Sequence, residues 1–232
     1  MMSDFAFELT PEDIEKNYNT LMNNINIMFS GDRLEKLKTM YIDLEDELMM
    51  APASSFEHYH NSFPGGYLDH ILRVLDFSFR VYETWKSCGM LEDDFTPEEL
   101  AFVAIHHDLG KLGLGGDDMG RYVFNQSDWH RKNQGKIYDT NDNLPFMTVQ
   151  DMSLFILQKY GINITMNETL GIKLHDGLYE ESNKPYYLAR QRKSSLRTYL
   201  PFVVHQADLM ASRFEYDRWE KYSGKKLPRY KG

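Results

Sequence analysis

The chain has 232 residues, a formal net charge of −9 and a single cysteine, Cys88. This length suits one domain, or one domain with an added helical layer, and it is sufficient to bury a core without disulfides. A chain this acidic has no overall attraction for nucleic acid or for an anionic membrane. Phosphate recognition would therefore need a local basic patch or metal ions. The single cysteine excludes an intramolecular disulfide and a cysteine-rich zinc site.

The same features favour a cytoplasmic location. Residues 1–9 lack a basic segment followed by an apolar run, so no signal peptide is predicted. The sequence has no run of about 18 apolar residues, the length that a membrane-spanning helix needs. A lone cysteine is also compatible with a reducing compartment.

Apolar residues at helical spacing predict an all-α fold. The first helix begins at Thr10-Pro11-Glu12-Asp13, which is typical of a capped helix start, and it ends before Gly31. Asp32 is expected to cap the second helix. This second helix is predicted over residues 32–48. Further helices are predicted over residues 67–88 (approximate bounds), 96–107, 148–160, 166–174 and from 201 onward. No segment alternates convincingly as a strand, and residues 113–120 and 141–143 are predicted loops.

These elements suggest three parts. Residues 1–50 are expected to form an N-terminal helical extension packed on the core. Residues 51–222 would form the main helical bundle. Residues 223–232 would form a basic C-terminal tail.

Four short motifs place histidine or aspartate near the ends of predicted helices. They are residues 65–70 (Gly-Gly-Tyr-Leu-Asp-His), 106–111 (His-His-Asp-Leu-Gly-Lys), 173–177 (Lys-Leu-His-Asp-Gly) and 205–208 (His-Gln-Ala-Asp). Helix ends in a bundle can converge on one pocket, and bundle cores often hold metal sites. Imidazole with carboxylate suits Mn, Fe, Co, Ni or Zn, whereas a site made only of oxygen ligands would suit Mg. One or two such ions can make hydroxide available near neutral pH and stabilise the oxygens of a phosphoryl transfer.

The ordered residues His70, then His107-Asp108, then Asp208 resemble the signature of the HD superfamily, and the segment from His107 to Lys111 resembles its H-D-x-G-K box. That superfamily is all-α and consists mostly of metal-dependent phosphohydrolases. The resemblance implies an HD-type helical bundle in which His70, His107, Asp108 and Asp208 hold metal. It also implies that Asp108 could bridge two ions and act in catalysis, and that Lys111 contacts a phosphate or orients the water.

A narrower resemblance covers residues 51–70, which are similar to the start of the HD domain in bacterial HD-type 3′-to-5′ exoribonucleases. Those enzymes also carry a His-Gly pair after the H-D box. Here that pair corresponds to His175-Asp176-Gly177, where the family often has His-His-Gly. The nucleic-acid-binding OB domain of those enzymes has no counterpart in this chain. The superfamily resemblance covers roughly residues 52–214.

Other histidines and one aspartate are further candidates. By the same resemblance, His175 is a candidate metal ligand, although a histidine at a helix end can instead interact with the helix dipole. His130 lies in the region after the H-D box and is a candidate ligand of a second metal, the alternative being a loop histidine bonded to backbone. Asp176 is a candidate proton acceptor or a partner of a ligand histidine. Three histidines have open roles: His58, His60 and His205.

A basic segment in this acidic chain supplies candidate phosphate contacts. Charge runs are usually solvated faces, but arginine and lysine also bind phosphate well. The candidates are Arg121, Arg131, Lys132 and Lys136. Trp129 and Tyr138 flank this segment and could stack on a base or anchor the core, and the core is favoured for Trp129. A second basic stretch is favoured as a surface loop, although it could also face substrate: Arg190, Arg192, Lys193 and Arg197.

Together these features predict a metal-dependent phosphomonoesterase or phosphodiesterase that uses a metal-bound hydroxide. The expected substrate is a nucleotide or related small phosphorylated compound, because the net charge of −9 and the missing nucleic-acid module disfavour a polymer. A membrane partner is not expected. The alternatives are a 3′-to-5′ exonuclease or cyclic-nucleotide phosphodiesterase, a non-hydrolytic nucleotide-binding module and a di-iron oxygenase. The motifs leave base preference and oligomeric state open.

Overall fold

The computed structural model describes residues 8–90, 94–116, 119–191, 193 and 195–225. This part of the chain is all-α with one small sheet, which confirms the predicted fold class. Arg192 and most of the predicted tail, residues 226–232, lie outside the described residues. The helices are α1 (Pro11–Met28), α2 (Gly31–Asp43), α3 (Glu45–Met50), α4 (Gly66–Ser87), α5 (Pro97–His106), α6 (Asp128–Gln134), α7 (Val149–Lys159), α8 (Met166–Leu174), α9 (Lys184–Leu188) and α10 (Leu200–Ser223). Short 3₁₀ segments cover Leu109–Leu112, Gly177–Tyr179 and Glu181–Asn183.

Side-chain caps fix several helix starts. At the start of α5, the Thr96 hydroxyl accepts a hydrogen bond from the Glu99 amide at 3.1 Å, and the Glu99 carboxylate accepts one from the Thr96 amide at 2.9 Å. Such reciprocal caps satisfy amide groups that a helix start otherwise leaves unpaired. The predicted start of α1 at Thr10-Pro11 is confirmed by the same arrangement. The predicted start of α2 is wrong by two residues, because Ser30 and not Asp32 occupies its N-cap position.

The small sheet corrects the prediction that the chain has no strands. Strands β1 (Tyr122–Phe124) and β2 (Tyr138–Thr140) pair antiparallel, with Tyr122 opposite Thr140. Each strand has three residues, which is too short for an alternating pattern to be visible in the sequence. Helix α6 lies between the strands, in a segment for which the sequence predicted no helix.

One hydrophobic core joins the helices. Helix α10 packs along α4 and also contacts α5 and α8. Leu21 of α1 and Tyr41 of α2 are fully buried and belong to the same cluster as Ile71 of α4 and Val204 of α10. The described N-terminal helices therefore pack on this core, as expected of an N-terminal extension, while the proposed domain boundaries stay predictions.

The segment after α5 is held tightly against α7. The amide of Gly110 donates to the hydroxyl of Ser153 at 2.8 Å, and a Cβ at Gly110 would overlap the carbonyl oxygen of Val149. Only glycine allows this approach, which fixes the position of Asp108 and Lys111 on either side. Within the described residues, no helix combines the length and the apolar character needed to cross a membrane.

Candidate metal centre

Three histidines and two aspartates converge where α4, α5, α8 and α10 meet. Nε2 of His70 lies 3.2 Å from Oδ1 of Asp208 and 3.7 Å from Oδ2 of Asp108. Nε2 of His107 lies 3.4 Å from Oδ2 of Asp108 and 4.0 Å from Oδ1 of Asp208. Nε2 of His175 lies 3.6 Å from Oδ1 of Asp108. The structure thus brings together five of the six residues that the sequence suggested as metal ligands.

These atoms fall into overlapping groups of the size that a metal ion requires. In each group, ligand atoms of three side chains lie within 4.8 Å of one another. The groups centred here are His70 with His107 and Asp208, His107 with Asp108 and His175, and His175 with Asp176 and Asp208. Because the groups share members, the cluster offers donors for one ion or for two adjacent ions.

The histidine rings are oriented by hydrogen bonds at their other nitrogen. Nδ1 of His107 lies 2.9 Å from the carbonyl oxygen of Ala104, and Nδ1 of His175 lies 2.8 Å from that of Ile172. A carbonyl oxygen only accepts, so each Nδ1 carries a proton and each Nε2 atom faces the cluster, where its lone pair can bind a metal once any second proton has been displaced. This arrangement is typical of histidines that bind metals.

The buried nitrogen atoms support this interpretation. His70 and His107 are fully buried, and neither Nε2 atom makes an aligned hydrogen bond despite the nearby carboxylates. A buried polar atom without a partner costs about 1–3 kcal/mol. A cation among these atoms would satisfy both nitrogens, so the residues fit a metal ion. The mixed nitrogen and oxygen donors suit Mn, Fe, Co, Ni or Zn better than Mg.

The electrostatics of the cluster also favour a cation. Burial raises the pKa of the Asp208 carboxyl, but His70 and His107 together hold it well below its usual range. Burial lowers the pKa of His70, yet Glu215 and Asp208 raise it to about 10. Burial likewise lowers the pKa of His175, while Asp176 and Asp108 raise it to about 9. Carboxylates that attract protons to buried imidazoles this strongly would also attract a divalent ion.

Glu215 is a functional candidate that the sequence analysis missed. Its side chain is fully buried on α10, and its Oε2 atom accepts a hydrogen bond from Nδ1 of His70 at 3.0 Å. Arg73 donates to its Oε1 atom and, at 3.0 Å, to Asp69. Asp69 also accepts a hydrogen bond from the side-chain Nδ2 atom of Asn61 at 2.9 Å. A signal was present, since Glu215 follows Asp208 by seven residues and so lies on the same helix face.

Lys111 brings a positive charge to the cluster. Its Nζ atom lies 2.6 Å from Oδ2 of Asp108 and 3.5 Å from Nε2 of His60. Burial lowers the pKa of Lys111, but Asp108 raises it above its usual range, so the ammonium stays charged. Burial, Lys111 and His70 lower the pKa of His60 to about 3, so this ring is neutral.

An open pocket of about 820 Å³ leads to the cluster. Asp108, His175 and Asp208 line it together with Lys111 and Asp176. The three histidines with open roles also line it: His58, His60 and His205. Nδ1 of His205 lies 2.7 Å from the carbonyl oxygen of His175, a contact to the loop that holds Asp176.

The structure does not bring the remaining predicted residues to this pocket. His130 is exposed on α6 and belongs to none of the metal-sized groups among the described residues. Three basic residues pair with nearby carboxylates and do not line the pocket: Arg131 with Asp128, Lys132 with Asp128 at 3.8 Å, and Lys136 with Asp139. Their roles stay predictions.

Two further residues of this region, Arg121 and Trp129, also do not line this pocket. Arg121 donates to the carbonyl oxygen of Met147 at 3.3 Å and lines a separate pocket of about 290 Å³, which shares Lys111. Trp129 is 60% exposed, so the core role favoured for it is wrong. The physical reason is that the C-terminal end of α6 is bonded to the segment before α4. The backbone amide of Glu57 donates to the carbonyl oxygen of Gly135 at 2.8 Å.

Comparison with known proteins adds no relative. The chain matches no protein-family model, no curated protein and no solved structure. The residues of the site therefore carry the functional assignment.

Proposed function

We propose that this chain is a metal-dependent phosphohydrolase of the HD type, acting on a nucleotide or a related small phosphorylated compound. The observation that carries the proposal is the convergence of three histidine Nε2 atoms and two carboxylates beside a largely buried lysine, at the base of an open pocket. A divalent ion bound there would lower the pKa of water and neutralise charge on phosphate oxygens. The ordered HD-type motif and the all-α fold support the same reaction class.

Lys111 is the residue best placed to bind a phosphate oxygen. It is 11% exposed, it stays charged, and it lies beside Asp108 at the edge of the ligand cluster. Phosphoryl transfer depends mainly on positioning and on charge neutralisation. An ammonium held at 2.6 Å from a ligand carboxylate would place its remaining donors toward a substrate in the pocket.

Asp176 is the residue best placed to accept a proton. Its Oδ1 atom lies 3.6 Å from Nε2 of His175, and its Oδ2 atom accepts a hydrogen bond from Gln150. Its side chain is 40% exposed toward the pocket. In hydrolysis the water oxygen bonds to phosphorus, the ester P–O bond breaks, one water proton goes to Asp176 and the leaving oxygen takes a proton from solvent.

The charge of the pocket walls favours a small substrate over a polymer. Of the residues that line the pocket, four are acidic and two are lysine or arginine. The acidic residues are Asp108, Asp176, Glu180 and Asp208, and the basic ones are Lys111 and Arg213. A channel for a nucleic-acid backbone would need a basic wall instead.

The test is phosphate or nucleoside release by metal-stripped protein with Mn, Co, Ni, Zn or Mg added back. The substrates are mononucleotides, nucleoside triphosphates, cyclic nucleotides and short RNA. We expect metal-dependent turnover of a mononucleotide or triphosphate, and its loss in the double variant His107→Ala with Asp108→Ala. Absence of turnover with every metal, in protein that binds metal tightly, would contradict the proposal and favour a binding module or an oxygenase.

A further inference from the structure

One end of the pocket is built from aromatic rings that contact one another. The ring centroids of His58 and Tyr59 are 4.8 Å apart, those of Phe56 and Tyr59 are 5.1 Å apart, and those of Tyr216 and Trp219 are 5.7 Å apart. His58 joins the two groups, with its ring 6.3 Å from that of Trp219. We call this set of five residues the aromatic end. It is continuous with the pocket because His58, Tyr59 and Tyr216 line the wall.

The aromatic end combines an exposed ring at the pocket with a buried base. Tyr59 is 53% exposed, whereas Trp219 is 4% exposed and packs beneath Tyr216 and His58. Burial lowers the pKa of His58, so its ring is neutral near pH 7. Rings held in place in this way lose little conformational entropy when a flat ligand stacks on them.

Arg213 lies between the aromatic end and the metal centre. It lines the pocket, it is exposed, and it makes no hydrogen bond or ion pair with any residue in the described ranges. A helix rises 1.5 Å per residue, so along α10 Arg213 lies about 7.5 Å beyond Asp208, and Tyr216 lies about 12 Å beyond it. Along the pocket, the candidate metal ligands are therefore followed by the Arg213 guanidinium and then by aromatic rings.

We propose that the aromatic end is a nucleobase subsite and that Arg213 contacts the phosphate or sugar oxygens of the same ligand. This inference rests on the proposed function, because the metal centre would hold the reacting phosphate. Aromatic side chains stack on the face of any base, and a guanidinium donates to phosphate and sugar oxygens. The order of groups along α10 matches the order phosphate, sugar and base in a nucleotide.

The test compares ligands that differ only in the base. Binding of the four ribonucleoside 5′-monophosphates and of ribose 5-phosphate is measured by calorimetry with Ni²⁺ present, since imidazole and carboxylate donors suit this ion, and phosphate release is assayed in the same samples. We expect the nucleotides to bind the native protein roughly tenfold more tightly than ribose 5-phosphate. Tyr216→Leu and Tyr59→Leu should each remove most of that difference and leave ribose 5-phosphate binding unchanged.

Two further variants separate the contributions. Arg213→Gln should weaken nucleotide and ribose 5-phosphate alike, by roughly tenfold, because both carry the phosphate and sugar. Tyr222→Leu is the matched control, since Tyr222 is a partly exposed tyrosine of the same helix that does not line the pocket. It should leave every affinity unchanged.

The outcomes distinguish this inference from the proposed function. Equal binding of nucleotides and ribose 5-phosphate by the native protein would overturn the nucleobase subsite, even if phosphate esters are hydrolysed. An equal loss of both ligands in Tyr216→Leu and Tyr59→Leu would also overturn it. Base-dependent binding without any turnover would support the subsite and contradict the hydrolase proposal.

Discussion

Glu215 illustrates how one buried side chain can set the direction of a ligand atom. Its carboxylate holds Nδ1 of His70 at 3.0 Å, and Arg73 balances its charge. Without this partner the His70 ring could turn, and its Nε2 atom would donate its electron pair to a metal less strongly. Residues in this position are known to change metal affinity by about 10–100-fold.

We therefore expect Glu215→Gln to lower divalent metal affinity by about 10–100-fold while the helical content stays native. The measurement is competition with a chelator, combined with circular dichroism. Asp217→Asn is the matched control, because Asp217 is an exposed acid of the same helix. An unchanged affinity in Glu215→Gln would show that this carboxylate has only a structural role.

Metal binding should also depend on pH in a defined direction. In the metal-free protein the pKa of His70 is about 10 and that of His175 about 9, so both imidazoles are protonated at pH 7. A metal needs both Nε2 lone pairs and must displace those protons. The metal affinity should therefore rise from pH 6 to pH 9. The rise is up to roughly 100-fold per pH unit, because each of the two displaced protons contributes a factor of about ten.

The measurement is chelator competition across this pH range, corrected for the protonation of the chelator. Calorimetry in buffers of different ionisation enthalpy should show proton release on binding. A flat affinity between pH 6 and pH 9 would mean that the histidines do not bind the ion through these nitrogens.

The sequence predicted the members of the His/Asp cluster better than their surroundings. His70, His107, Asp108 and Asp208 stand in an ordered pattern with glycine and lysine beside them, so their convergence could be anticipated. Glu215 stands in a polar run with no neighbouring motif, and its role depends on a contact between α4 and α10. The aromatic end likewise unites residues 56–59 with residues 216–219, which only the fold brings together.

At the scale of elements, the approach of the Leu109–Leu112 segment to α7 determines where Asp108 and Lys111 lie. Gly110→Ala would push a Cβ into the carbonyl oxygen of Val149 and against Met152. We expect a loss of about 1–3 kcal/mol in the free energy of unfolding, together with weaker metal binding because Asp108 must move.

The measurement is denaturant unfolding, with metal affinity determined on the same samples. Gly120→Ala is the matched control, since a Cβ at Gly120 would meet no atom within 4 Å. Equal stabilities of the two variants would contradict the tight approach.

Long helices with clear caps were also more predictable than short elements. The sequence located α8 at residues 166–174, and the structure gives Met166–Leu174. It missed α6, although Ser127 caps it through the amide of His130, because a seven-residue helix with no buried side chain has no apolar face to detect. The strands on either side were missed for their three-residue length.

At the scale of the whole molecule, a charged pair links the N-terminal helices to the part that carries His175. Arg33 of α2 donates to Glu168 of α8 at 2.7 Å, and its guanidinium lies 4.0 Å from the ring centroid of Phe102 in α5. Glu168 is fully buried. The pair therefore fixes α2 against α5 and α8, the two helices that end at the metal centre.

Arg33→Met should destabilise the protein by on the order of 3 kcal/mol, because it leaves the buried Glu168 carboxylate without a compensating positive charge, although the Thr165 amide still donates to it at 2.8 Å. Adding Glu168→Gln to that variant should recover part of the loss, since the buried charge is then removed. Denaturant unfolding of the single and double variants measures both effects. A double variant less stable than Arg33→Met would contradict this account of the pair.

The most direct test of the metal centre is elemental analysis of the purified protein beside Asp108→Ala and His107→Ala variants of native helical content. We predict at least one tightly held transition-metal ion per chain in the native protein, and loss of that ion in both variants. Native protein that retains no divalent ion after exposure to Mn, Fe, Co, Ni or Zn, or variants that retain it fully, would contradict the assignment of this cluster as a metal site.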